Sequence, residues 1–217
     1  MFSQIISWLP QLLDGAKITI LLTICAVSMG LVLSVFLALG KMSKNKIINK
    51  CCGAYIFFFR GTPLLMQLYF IYFGLPQINT ALTINSRFFA AFLAFSLNSA
   101  AYCAEIIRAA IQSIDKGQFE ASKALGLTKA QTMRLVIFPQ SIKRLIPPVA
   151  NEFIMVLKDA SLVSIIALAD LTKVTRAISS STGTAMVYIP AMIIYLIMTA
   201  FFEFIFHKLE VKFSKYE

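Results

Sequence analysis

The sequence predicts an all-α integral membrane protein, and three observations carry that expectation. Of the 217 residues, 59% are hydrophobic and only 14% are charged, against about 25% charged in a soluble domain. The apolar residues gather into five stretches near the ~20 residues that a helix needs to cross ~30 Å of hydrocarbon. The basic residues cluster in alternate linkers between those stretches.

Taken in order, the N-terminal MFSQIISWLPQLL places Phe2, Ile5, Ile6, Leu9, Leu12 and Leu13 on one helical face beside Trp8. That pattern suits a short helix lying in the membrane interface, a frayed tail being the alternative. The first span, 18–40, carries no charge at all. The second, 58–75, opens around Arg60 and reads on through GTPLLMQLYFIYFGL. The third covers 88–108. The fourth, 146–169, is apolar apart from Glu152, Lys158 and Asp159, and the fifth covers 186–206. Gly61, Pro63 and the Pro147–Pro148 pair mark local helix breaks and candidate hinges.

Charge sets the expected orientation. The linker after span one (with Arg60), the long linker after span three and the C-terminal tail (Lys208, Lys212, Lys215) hold fifteen of the twenty basic residues. The opposite side has only Lys17, Arg87, Lys173 and Arg176. The positive-inside rule then puts the N-terminus outside and the C-terminus inside. A net charge of +10 finds its explanation here, and no basic patch with interleaved aromatics argues for nucleic acid. Cys25, Cys51, Cys52 and Cys103 show no metal-ligand spacing and read as free thiols. No cofactor, metal site or catalytic group is expected. The first residues lack the basic region and small-residue site of a cleaved signal peptide.

The longest cytoplasmic linker is unusual. Asp115 and Gly117 suggest a turn, after which a helix starts near Gln118 with Ala121, Ala124 and Leu125 as a small apolar face. Gly126 and Thr128 suggest a stop and a new start, and a second short helix runs to Pro139. Such a knob could seat in a partner, or it could be a solvated connector.

The stretch EASKALGLTKAQTMRLVIFP (120–139) resembles the EAA loop of binding-protein-dependent ABC importer permeases. That pattern is Glu-Ala-Ala, three residues, Gly, nine residues, then Ile-x-Leu-Pro. Glu120, Ala121, Gly126 and Pro139 match it, while Ser122, Val136 and Phe138 depart mildly. Segments 57–74, 98–126 and 151–172 are similar to the polar amino acid uptake branch of the same family (the histidine, glutamine and arginine type). The resemblance implies a type I ABC importer fold in a bacterial cytoplasmic (inner) membrane, with 116–139 as the coupling loop. By that likeness Glu120, Ala121, Ser122 and Gly126 contact a separate ABC ATPase subunit. It also implies an extracytoplasmic amino acid-binding protein and a second permease subunit, identical or related, as partners, beside membrane lipid. The chain contains no Walker A pattern of its own, so ATP hydrolysis is expected in the partner and not here.

Ionisable groups inside a span are costly and are functional candidates by default. Asn98 lies about 16 Å from Arg87 along span three, and Lys158 and Asp159 lie about 20 Å from Arg144 along span four. Glu152, Val156 and Asp159 share one helical face, as do Asn98, Tyr102 and Glu105. Asn98, Tyr102, Glu152, Lys158 and Asp159 are therefore the candidate substrate-binding residues: carboxylates for an ammonium, a lysine for a carboxylate. Pairing Lys158 with the cargo carboxylate and Asp159 with its α-ammonium leaves Glu152 for a cationic side chain. A Lys158–Asp159 ion pair is the competing reading. Arg60 and Glu105 are expected to brace the cytoplasmic base of the bundle, Glu105 pairing with Arg60 or with Arg108. The rival functional class is a secondary transporter driven by an ion gradient, with Glu152 and Asp159 relaying protons. Against it stand the odd number of spans and the absence of an inverted repeat.

Overall fold

The computed structural model describes residues 2–214, so Lys215 lies outside the described residues. Every regular element is helical. The first, α1, runs Phe2–Lys41. At 1.5 Å per residue it is about 60 Å long, roughly twice the hydrocarbon thickness. The expected interfacial helix is therefore not separate: it continues through Pro10 into span one. Trp8, Leu12 and Ala16 are buried with Leu171, Val187 and Ile194 of later elements, so protein covers that side, while Ile6, Leu9 and Leu13 stay exposed. A Cβ on Gly15 would come within 2.9 Å of the Leu171 Cα, and only glycine lets the two backbones meet so closely. The Thr19 hydroxyl accepts from the Leu171 N–H at 3.2 Å.

The second expected span is bent at the break that Gly61 and Pro63 lead one to expect. Helix α2, Lys46–Gly61, meets a run made of α3 (Leu64–Tyr69), a π turn (Phe70–Gly74) and α4 (Leu75–Ile78) at 103°. Pro63 causes the break. It forces Thr62 out of the helical region, to φ −116° and ψ 146°, and it has no N–H to give.

Helix α5, Arg87–Gln112, starts on the Ser86 hydroxyl, which accepts from the Phe89 N–H. Its buried face consists largely of small residues, Ala90, Ala91, Ala94, Ser99, Ala101 and Ala104 among them. Small side chains permit close helix approach in membranes, and a Cβ on Gly30 of α1 would stand 3.0 Å from the Ser99 Cβ.

The linker folds into α6 (Lys116–Ala124), α7 (Lys129–Thr132) and a π turn (Met133–Ile137) that runs directly into α8 (Phe138–Asp159). Pro139 therefore does not end a helix as expected. It sits in the first turn of α8, where the preceding i→i+5 turn accommodates a residue without an amide proton. The fourth expected span also shifts: regular helix starts at 138 and stops at Asp159. A 3₁₀ segment, Ala160–Ile166, follows and ends at Ala167 with φ 58°. The Pro147–Pro148 pair lies within α8 without ending it. Helix α9, Leu171–Thr182, is capped by Asp170, whose carboxylate accepts from the Thr172 and Lys173 N–H groups. Burial holds the Asp170 carboxyl above the usual carboxylate range, although those two bonds act in the opposite direction. After a 3₁₀ turn, Ala185–Val187, α10 runs Tyr188–Ser214.

Among the described residues three helical stretches, Gln4–Lys41, Arg87–Gln112 and Ala185–Phe213, are each long and apolar enough to cross a membrane, and the bent pair would make a fourth. Helix α8 is not among them, because Lys143, Arg144, Glu152, Lys158 and Asp159 make it too polar along its length. Large apolar side chains such as Phe36, Leu196 and Ile197 stay exposed on α1 and α10, as a lipid-facing surface requires.

Candidate functional site

Where the bent pair faces α5 and α8, the bend opens a cavity of about 330 Å³. Its floor is the break itself, Arg60 to Leu64; Asn98 and Tyr102 line it from α5, and Glu152, Met155 and Asp159 from α8. Glu152 is buried, and both Asp159 and Arg60 act on its charge. The Arg60 guanidinium carbon stands 5.3 Å from the centre of the Tyr102 ring, within cation–π range.

The break is held open by a polar network. Asn98 donates through Nδ2 to the Phe59 carbonyl and to the Gln67 Oε1, both at 3.0 Å. Gln67 Nε2 donates to the Phe59 carbonyl at 3.0 Å, the Thr62 carbonyl at 3.1 Å and the Thr62 hydroxyl at 2.8 Å. The Thr62 hydroxyl in turn donates to the Phe58 carbonyl at 2.8 Å. In a low-dielectric interior each freed carbonyl needs such a partner, and the side chains of Gln67, Thr62 and Asn98 supply them.

The structure thus brings four of the five candidate residues, Asn98, Tyr102, Glu152 and Asp159, to one cavity. Lys158 is not with them: it is exposed and does not line the cavity. Adjacent helical residues cannot face the same way, so placing Asp159 in the cavity turns Lys158 out. Arg60 is not bracing the base. It lines the cavity instead, and Glu105 takes Arg108 as its ion-pair partner. In the sequence Arg60 is read as a brace rather than a cavity residue, and Gln67 goes unrecognised. The signal for both is Pro63, which turns the chain so that groups on either side of it face each other.

The linker makes a second site. Gly126 has φ 76°, and the N–H groups of Gly126 and Leu127 donate to the Lys123 and Ser122 carbonyls at 3.0 and 3.1 Å, a Schellman closure of α6. Thr128 and Gln131 then form a reciprocal capping box that starts α7. Phe119, Met133 and Val136 pack under this unit onto Ala104, Ile111 and Ile137, so the knob is seated on the base of the bundle. Of the four expected contact residues, Glu120, Ala121 and Gly126 are exposed. Ser122 faces inward, 3% exposed, with its hydroxyl donating to the Gln118 carbonyl. Leu125, 80% exposed, is the most exposed of the large apolar side chains of the knob.

Residues 30–215 match the family described as the binding-protein-dependent transport system inner membrane component. The chain belongs to that family. Members of this permease family are transport components. The chain is 38% identical to an arginine transport system permease protein of Bacillus subtilis, over 97% of this chain and 96% of the relative. It is likewise 38% identical to an L-cystine transport system permease protein of the same organism, over 97% and 89%. A crystal structure of an amino acid ABC transporter with histidines superposes with a TM-score of 0.91 at 42% identity, covering 98% of both chains. The cavity at the bend and the seated knob are therefore features of an ABC importer permease.

Proposed function

We propose that this permease carries polar amino acids with a cationic side chain across a bacterial cytoplasmic (inner) membrane, driven by a separate ATPase. The observation that carries the reading is the charge set in the bend cavity: one cation, Arg60, and two carboxylates, Glu152 and Asp159. Arg60 takes the role expected of Lys158 and holds the cargo carboxylate. Asp159 meets the α-ammonium, and Glu152 is left for a second cation. Asn98 positions the break, and Tyr102 holds Arg60 in place. The cavity volume falls in the range of small-molecule sites, about 300–1,000 Å³. The relatives named for arginine and for L-cystine are equally similar and support an amino acid as cargo.

The proposed topology has five crossings, N-terminus outside and C-terminus inside, with α8 as the fourth and its charged face turned to the transport path. Lys41 in the last turn of α1 and Lys212 in the last turn of α10 support that orientation. The knob at 116–139 docks an ABC ATPase through Glu120, Ala121, Gly126 and Leu125. A second permease subunit completes the path, and an extracytoplasmic binding protein delivers cargo. The test is uptake into proteoliposomes containing the permease and its ATPase, with the binding protein supplied on the outer face. Arginine uptake that requires ATP is the expected result. Uptake driven by a proton gradient with no ATPase would overturn the reading in favour of a secondary transporter.

A further inference from the structure

A larger cavity, about 760 Å³, lies between α1, α5, α8 and α10, away from the bend. Every side chain lining it is apolar except Arg134. On α8 its wall runs from Phe138 to Val149, eleven residues or about 16 Å. That is close to half the ~30 Å hydrocarbon core, the depth of one leaflet. On α1 the wall is Leu31, Val35 and Leu39, spaced four apart on one face. Arg134 stands one turn before Phe138, at the end of the cleft nearest the termini of α1 and α10. Among the described residues no carboxylate is found in an ion pair with Arg134. Lys208 and Lys212 follow on the last turns of α10 beside the lining residue Leu209, with Glu210 between them.

We propose that this cleft holds one acyl chain of an anionic phospholipid from the cytoplasmic leaflet, with the lipid phosphate on Arg134. The proposal rests on the orientation given under Proposed function, which puts this end of the cleft at the cytoplasmic surface. A soluble ligand does not fit a cleft that offers one cation and otherwise only hydrocarbon. A lipid fits on two counts: leaflet-length apolar walls, and a cation at headgroup height with no acid in the lining. Basic pockets between helices on the cytoplasmic side are a recurring way of holding anionic headgroups. The position also matters for coupling. One wall is the α7–π–α8 segment that carries the knob, and the opposite wall is α1, so the acyl chain fills the space between the coupling segment and the rest of the bundle.

The test uses the purified permease chain alone, in detergent, with equal amounts of phosphatidylglycerol and phosphatidylcholine, and bound lipid is counted by native mass spectrometry. The wild-type chain is expected to retain phosphatidylglycerol in preference. Arg134→Gln, an exposed substitution that leaves the packing alone, should reduce that preference by about fivefold, the worth of one basic residue near an anionic surface. Val149→Trp and, separately, Val35→Trp fill the cleft from opposite walls and should remove the bound lipid of either class. Wild-type retention in both tryptophan variants, or an unchanged lipid preference in Arg134→Gln, overturns the proposal. The assay contains no ATPase and no cargo, so its failure leaves the transport reading standing, and a failed uptake assay leaves this result standing.

Discussion

Gln67 accepts a hydrogen bond from Asn98 at 3.0 Å, and both side chains donate to the same carbonyl, that of Phe59. The two amides act as one clamp across the break in the second span. Replacing either with leucine leaves a buried carbonyl short of a donor, at a cost of about 1–3 kcal/mol. Because they share a partner, the double substitution should cost less than the sum of the singles. Thermal unfolding of the purified chain and its three variants measures this. Strictly additive losses would mean that the clamp is two independent contacts.

How much of the site is legible in sequence depends on which residues are asked about. Glu152 and Asp159 are seven apart, so helical phase alone places them on one face, and the same holds for Asn98 and Tyr102 four apart. Lys158 is excluded by the same rule applied one residue further. Arg60 is different. Pro63 announces a break, but nothing local announces a bend of 103°, and without that angle Arg60 reads as a helix end at the membrane surface. The N-terminal helix escapes for a related reason: Ile6, Leu9 and Leu13 of its apolar face stay exposed, while Trp8, Leu12 and Ala16 are covered by Leu171 and Val187, which lie far along the chain. Pro139 reads as a stop because the π turn that accommodates it has no signature in residue type.

The contact between Gly15 and Leu171 supplies a stability test. Gly15→Ala puts a methyl group within 3.0 Å of backbone on α9, and backbone cannot rotate away. The expected result is a lowered unfolding temperature, equivalent to about 1–3 kcal/mol of overpacking. Gly61→Ala is the control, since a Cβ there meets nothing within 4 Å. Equal behaviour of the two variants would mean that α1 and α9 are free to separate.

In the bend cavity the charges are assigned separate tasks, and two substitutions separate them. Glu152→Gln removes the carboxylate reserved for the cargo side chain. Loss of one hydrogen bond to a charged group costs about 1.5–3 kcal/mol, so arginine uptake should fall about tenfold to a hundredfold while glutamine uptake is spared. Arg60→Met removes the group assigned to the carboxylate that every amino acid has, so uptake of both should fall together. Competition uptake in proteoliposomes reads both ratios. An unchanged arginine-to-glutamine ratio in Glu152→Gln would end the assignment of Glu152.

The knob can be tested by separating its shape from its surface. Gly126 holds φ 76° to close α6, and a β-branched residue forced into that region costs about 1–2 kcal/mol. Gly126→Val therefore distorts the turn between α6 and α7, although the space around it is empty. Leu125→Ser leaves the backbone alone and removes the exposed apolar side chain. Both should weaken co-purification with the ATPase, but only Gly126→Val should lower the unfolding temperature, because Leu125 is 80% exposed and supports nothing in this chain. Membrane insertion should survive both, since the segment lies outside the expected spans. If both variants bind the ATPase as the wild type does, the knob is a connector and the energy of hydrolysis enters the permease elsewhere.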